Sequence, residues 1–255
     1  MALLLPFTFG MDPTIAIVVL ASTYVGAEYG GSIGGQVNMI TRSGTNQFHG
    51  SIFENFQSDK FSSRDPFLPP TTAKPKIRFN QFGGSLGGPI LQNRLLFFTS
   101  FEGYREESGV TVQGNVATQA TRDRMLAALP YPETRLVLDN MPMPNVPIND
   151  VIGRYTDAKT LVRRDNTFLG KVDFEAGVGR LSVTASRMQP FASVPRIQIN
   201  NNQQYTNGSK RLSTNYVVAR NSWVSESRFG WNRNTLDRFD EFWLAESPTR
   251  GAQED

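Results

Sequence analysis

Chemistry needs reactive side chains at workable spacing, and this chain offers few. His49 is the sole histidine and there is no cysteine. A metal site takes two or more His or Cys ligands at defined spacing, and a Ser-His-Asp relay needs its histidine beside a nucleophile. His49, facing opposite to Phe48 on a strand, reads as an ordinary polar position. Glu106-Glu107 and the group Asp237, Asp240 and Glu241 have the composition of paired carboxylates or calcium ligands. Both read instead as solvated strand ends and loops. Gly83-Gly84 and Gly87-Gly88 suggest a phosphate loop, but the G-x-x-x-x-G-K-[ST] order is missing and no helix follows. Their better reading is small residues lining a crowded barrel interior. The sequence thus designates no catalytic, metal or cofactor-binding residue, and no enzyme is expected.

The composition fits that outcome. The chain has 255 residues, of which 39% are hydrophobic and 19% charged; the charged share lies below the ~25% usual in soluble globular proteins. Twenty-two glycines and 18 phenylalanines suit an aromatic, turn-rich β-protein. The net charge of +3 is mild. Its basic residues are scattered and not interleaved with stacking aromatics, which argues against nucleic acid as a partner. Without cysteine there are no disulfides and no thiolate sites. Met1 to Leu20 is apolar but broken by Pro6 and by Asp12-Pro13. Its one uninterrupted run, Ile15 to Ala21, is too short for a spanning helix of ~20 residues. The first basic residue is Arg42, so the basic start of a cleavable signal is missing. A short strand, or a start out of its native context, is expected in this segment.

Strand patterns dominate the rest. After Gly26, Gly30, Gly31, Gly34 and Gly35 comes the β-patterned run Gln36 to Ile40, then a turn over Arg42 to Asn46 and a second such run. Phe48, Ile52 and Phe56 share one face at a period of two. So do Phe82, Leu86 and Ile90, with Gly83, Ser85 and Gly87 opposite. Phe168, Val172 and Phe174 alternate with Leu169, Lys171 and Asp173. After a corner at Gly177 to Arg180, Leu181, Val183 and Ala185 alternate with Ser182, Thr184 and Ser186, a hairpin signature. Trp223, Phe229 and Trp231 share one parity, beyond a turn near Asn221-Ser222. Two connections are expected to be long. One spans 106–165, with a helix over Thr121 to Leu129 stopped by Pro130 and a proline-rich stretch after it. The other covers 190–210.

Strands of about ten residues, short turns at one end and long polar loops at the other describe a transmembrane β-barrel. The same alternation describes a soluble sandwich, although its loops are usually short at both ends. On pattern alone the two are evenly matched.

The wording of four segments goes further. AEYGGSIGGQVNMITRSGTNQFHGSIFENFQSD (27–59), RFNQFGGSLGGPILQNRLLFFTSFEGYR (78–105), RDNTFLGKVDF (164–174) and SWVSESRFGWNRN (222–234), in that order, resemble the Oar-like branch of the TonB-dependent outer-membrane receptors. The resemblance implies an all-β fold: antiparallel strands of an incomplete transmembrane β-barrel, a short plug remnant and one long loop carrying a small helix. Residues 1–45 would be a hydrophobic segment and the end of the plug, and 46–255 the first third of the barrel. Arg42 to Asn46 would be the hinge between them, and a turn from Gly88-Pro89 to Asn93 would join two early strands. It further implies uptake of an unidentified ligand, residues 106–165 as an extracellular loop, and a place in the outer membrane. The partners would be outer-membrane lipid and the TonB energy-coupling complex. The coupling box is not found before Ala27, and a full receptor of about 22 strands needs far more chain than the roughly eight strands that fit here. A piece of a longer receptor, inactive by itself, is therefore expected. The other class is a soluble or surface-attached β-sheet adhesion module.

Overall fold

In the computed structural model the described residues are 15–21, 36–61, 63, 74, 76–199 and 201–240, with backbone alone up to residue 40. The glycines before Gln36, Trp243 and Glu241 lie outside them.

An apolar, β-branched run and a half-polar one form the first strands, β1 (Ile15–Ala21) and β2 (Gln36–Thr41), which pair antiparallel with Leu20 opposite Val37. The alternating segments that follow become β3 (His49–Ser58), β4 (Ile77–Leu91) and β5 (Leu95–Ala117). After helices α1 (Gln119–Ala128) and α2 (Pro132–Asp139) and the short β6 (Val146–Pro147) comes β7 (Ile152–Ala176). Then follow β8 (Gly179–Met188), β9 (Phe191–Pro195), β10 (Asn202–Ala219) and β11 (Val224–Asp240). All but β1 and β2 belong to one nine-stranded sheet whose path runs β3-β4-β5-β7-β8-β10-β11, every pairing antiparallel. β9 continues the line of β8 past Gln189-Pro190, pairing with β7 and β10. Among the described residues β3 and β11 are paired on one side only, so the sheet is open.

Three tight turns lie at one end: Gln92 to Arg94, Gly177-Val178, and Arg220 to Trp223, closed by an Arg220 N–H to Trp223 carbonyl bond of 2.9 Å. The first is narrower than the expected Gly88-to-Asn93 turn, because β4 runs on to Leu91 with a bulge at Ile90. Asn93 takes φ 59°, a left-handed value that Asn tolerates and most residues resist.

The opposite end corrects two expectations. The connection expected over 106–165 narrows to 118–151, because β5 and β7 stay paired out to Ala117 and Ile152. Its proline-rich part also holds α2, which starts on Pro132; proline is favoured in the first helical turn, where its missing N–H costs nothing. The long connection expected over 190–210 is six residues, 196–201, and the remainder is β9 and β10. That stretch is polar on both faces, which disguises its period.

Apolar burial is inverted. Among the described residues the buried hydrophobic side chains are Phe98, Val116, Leu138 and Leu161. Phe48, Ile52 (93% exposed), Phe56, Leu86, Phe101, Phe168, Val172, Phe174, Phe229 and Trp231 stand open on the surface. The register puts them on one face: Ile52 and Phe101 flank Gly84, Phe101 faces Phe168, and Val172 faces both Phe97 and Val183. That face continues through Leu212 opposite Trp231. An apolar outer band of this kind is what lipid requires, while water would penalise it. β5 and β7, at 23 and 25 residues, far exceed the ~9–11 needed to cross the bilayer, so their paired upper halves project beyond it.

Candidate functional site

The other face of the sheet is polar, and in a closed barrel it lines the lumen. Ser51 Oγ lies 3.0 Å from Ser85 Oγ, Asn55 donates to Gln81 at 3.4 Å, and Gln81 donates to Glu102 at 2.7 Å. Glu106 accepts from Tyr104 Oη at 2.6 Å and Ser108 Oγ at 3.0 Å, and meets Arg163 at 3.4 Å. These are alternate residues of adjacent strands, so the two-residue period alone delivers them to one surface.

Where β8 gives way to β9, this surface hollows into a pocket of about 390 Å³, lined among others by Glu102, Tyr104, Arg163, Asp165, Tyr205 and Asn207. Its size suits a small ligand. Pro190 forms part of the wall and has no N–H to continue a ladder, which accounts for the gap. Beside the pocket, Gln203 is 3% exposed, and its amide oxygen accepts from Tyr205, Arg196 and, at 2.9 Å, Arg238. Arg238 also stacks 5.3 Å from the Tyr205 ring centre. The arrangement offers charged and neutral donors and acceptors around aromatic surface.

Near the tight turns the segment after β2 crosses this polar face. Thr41, Arg42, Ser43 and Thr45 share a hollow with His49, Ser51, Ser85 and Phe98. Gly44 is pressed so close that a Cβ there would fall 2.2 Å from the Phe97 carbonyl oxygen. Asn46 then bonds the β4–β5 turn: its Nδ2 donates to Asn93 Oδ1 at 2.6 Å, and Asn93 N–H returns a bond to Asn46 Oδ1 at 2.7 Å. Deeper in the same end Asp173 is fully buried, accepting from Ser182 Oγ with Arg180 at 3.6 Å and Lys171 at 4.0 Å.

At the far end Arg122 organises the 118–151 excursion. It is 8% exposed and donates to the carbonyls of Leu138, Met141 and Pro142 at 2.9, 2.9 and 2.6 Å. Thr118 caps α1, its hydroxyl accepting from Thr121 N–H at 3.4 Å. The excursion is tied sideways as well, by Ile199 N–H to Asn140 carbonyl at 2.8 Å, and the upper half of β7 is tied to the same segment by Lys159, which donates to the Arg196 and Gln198 carbonyls.

The residues singled out in the sequence for possible chemistry are dispersed. His49 sits opposite Gly87 on the polar face. Glu106 faces the same side, whereas its neighbour Glu107 lies across from Arg78 on the other. Asp237 and Asp240 lie opposite Thr206 and Gln203, on alternate faces. Gly83 and Gly87 take the polar face, while Gly84 and Gly88 take the apolar one. Arg122, Asp173 and the Asn46–Asn93 pairing were not singled out: Asp173 meets Arg180 and Ser182 only across the Gly177-Val178 turn, Arg122 reaches carbonyls 16 to 20 residues on, and Asn46 and Asn93, placed in an expected hinge and an expected turn, meet across 47 residues.

Comparison with known proteins agrees with this geometry. The family described as outer membrane beta barrel domain matches residues 40–253. The TonB-dependent transporter Oar of Myxococcus xanthus is 39% identical over 79 residues, 29% of this chain and 7% of that protein. The match thus spans a small part of that relative. No solved structure matches. With its apolar outer band, polar inner face and matching sequence, the chain belongs to the outer membrane β-barrel domain family, resembles the Oar-like TonB-dependent receptors, and resides in the cell outer membrane.

Proposed function

We propose that this chain is part of a TonB-dependent receptor that moves a ligand across the outer membrane. The observation that carries the reading is the seat of residues 41–46: the chain enters the barrel along its polar face at the tight-turn end, where a plug domain would connect. Residues 1–45 are then the end of the plug and 46–255 the first part of the barrel. The tight turns face the periplasm and the 118–151 excursion faces outward. Ligand passes the excursion and reaches the pocket around Tyr104, Arg163 and Tyr205, and the TonB complex supplies the energy in the intact receptor. The similarity to a TonB-dependent transporter supports this, and nothing in the site calls for a catalytic step.

Protease treatment of intact cells tests the orientation. Cleavage within 118–151, with Gly177-Val178 protected until the membrane is opened, is expected. The reverse pattern overturns the topology and with it the ligand route.

A further inference from the structure

Moving along the apolar face away from the tight turns, the first charged residue on six successive strands of the path is basic. These are Arg78, Arg105, Arg164, Arg187, Lys210 and Arg233, placed on that face by the register. The chain holds 26 basic and 23 acidic residues, so composition alone does not select one sign six times running. Arg78 has Glu107 directly opposite. The other five oppose one another: Arg105 faces Arg164, Arg187 faces Lys210, and Lys210 faces Arg233. Like charges directly across a ladder repel. Among the described residues, the ion pairs of this sheet use other basic side chains.

The surface between them is shaped as well as charged. Arg105 is held by the Tyr104 and Asp165 carbonyls and Asn166 Oδ1, each at 2.7 Å, and stacks on Phe82. With Arg187, Phe101, Phe168 and Gln189 it borders an open depression of about 630 Å³ on the outer face. Two guanidinium groups and two phenylalanine rings thus share one depression.

We propose that this belt binds the phosphate-bearing headgroup of an anionic membrane lipid, with an acyl chain lying on Phe101 and Phe168. Guanidinium groups pair bidentately with phosphate, and long basic side chains reach from an apolar band toward the headgroups. An anion between Arg187, Lys210 and Arg233 removes the repulsion that the register builds in. The inference rests on the membrane location and not on the direction or identity of any transported ligand, so either can fail alone.

Trp231 lies two residues from Arg233 and opposite Leu212 on the same face, and with the other two tryptophans, Trp223 and Trp243, replaced by Phe throughout it is the sole reporter. The full chain is inserted into phosphatidylcholine vesicles containing a minority of phosphatidylglycerol, with bromine on one lipid or the other. Per mole, brominated phosphatidylglycerol is expected to quench tryptophan several-fold more than brominated phosphatidylcholine. R187Q/K210Q/R233Q should lose this preference, and K210Q alone should lower it at least twofold should the triple variant fail to insert. R124Q/R135Q/R154Q, which removes three charges from the excursion side, should retain it. Equal quenching of the chain with its belt intact, an unchanged preference in K210Q, or an equal loss in the excursion variant would overturn the proposal.

Discussion

Asn46 and Asn93 hold each other by two hydrogen bonds, of 2.6 and 2.7 Å, across 47 residues of chain. One belongs to the segment entering the barrel, the other to the first tight turn. The pairing fixes where the sheet begins relative to what precedes it. Asn93 suits the post twice, since its side chain bonds and its backbone accepts φ 59°.

Removing either half should therefore separate these roles. Asn46→Ala loses both bonds, at about 1 kcal/mol each. Asn93→Gly keeps the left-handed backbone and loses only the side-chain contact, whereas Asn93→Ala also strains the turn. Urea unfolding of the vesicle-inserted chain should rank Asn93→Ala as less stable than Asn93→Gly; the opposite order would deny the turn its backbone requirement.

Arg122 is expected to govern the excursion without governing the barrel. Arg122→Ala leaves four carbonyls, those of Ala117, Leu138, Met141 and Pro142, without their charged donor, at a cost on the order of 3 kcal/mol. Limited proteolysis within 118–151 should then rise by about a hundredfold, with strand content by circular dichroism unchanged. Equal protease resistance in the variant would mean the excursion is held by something else.

Asp173 sits fully buried between Ser182, Lys171 and Arg180. Its replacement by Ala leaves the largely covered Lys171 ammonium without its carboxylate, and breaking such a pair costs about 3 kcal/mol or more. The double variant Asp173→Ala with Lys171→Met should recover most of that loss, since it removes both charges. Additive losses in the double variant would show that the two do not interact.

Neighbours on opposite faces provide the sharpest test of the inside-out surface. Ile52 is 93% exposed on the apolar face, and Ser51 lies beside it on the polar one. Arginine facing lipid near the bilayer centre costs about 2–4 kcal/mol, so Ile52→Arg should unfold at markedly lower urea in vesicles. Ser51→Arg should change stability far less. Indistinguishable variants would remove lipid from the picture.

The faces were legible in the sequence because a strand's period is local. Phe48, Ile52 and Phe56, and Phe168, Val172 and Phe174, each revealed a shared side without reference to any neighbour. α1 was legible for the same reason, expected over Thr121 to Leu129 before Pro130 and found over Gln119–Ala128. α2 was not, since Pro132 and the prolines after it looked like breakers although the first sits at a helix start. The connection expected over 190–210 concealed β9 and the start of β10, because away from lipid both faces can be polar and alternation vanishes. The site itself was least legible. The Tyr104–Arg163–Tyr205 pocket exists only through strand pairing at separations of tens of residues, and no local pattern announces it.

The upper halves of β5 and β7 form a continuous hydrogen-bonded ribbon out to Ala117 and Ile152. A ribbon of this kind resists bending in its own plane, so α1 and α2 ride at the tip of a stiff lever rather than on a slack tether. The cross-ties from Asn140 to Ile199 and from Lys159 to Arg196 brace that lever against the next hairpin. A force applied at the helices is therefore delivered as torque to the foot of that ribbon, level with the Gln189-Pro190 break between β8 and β9.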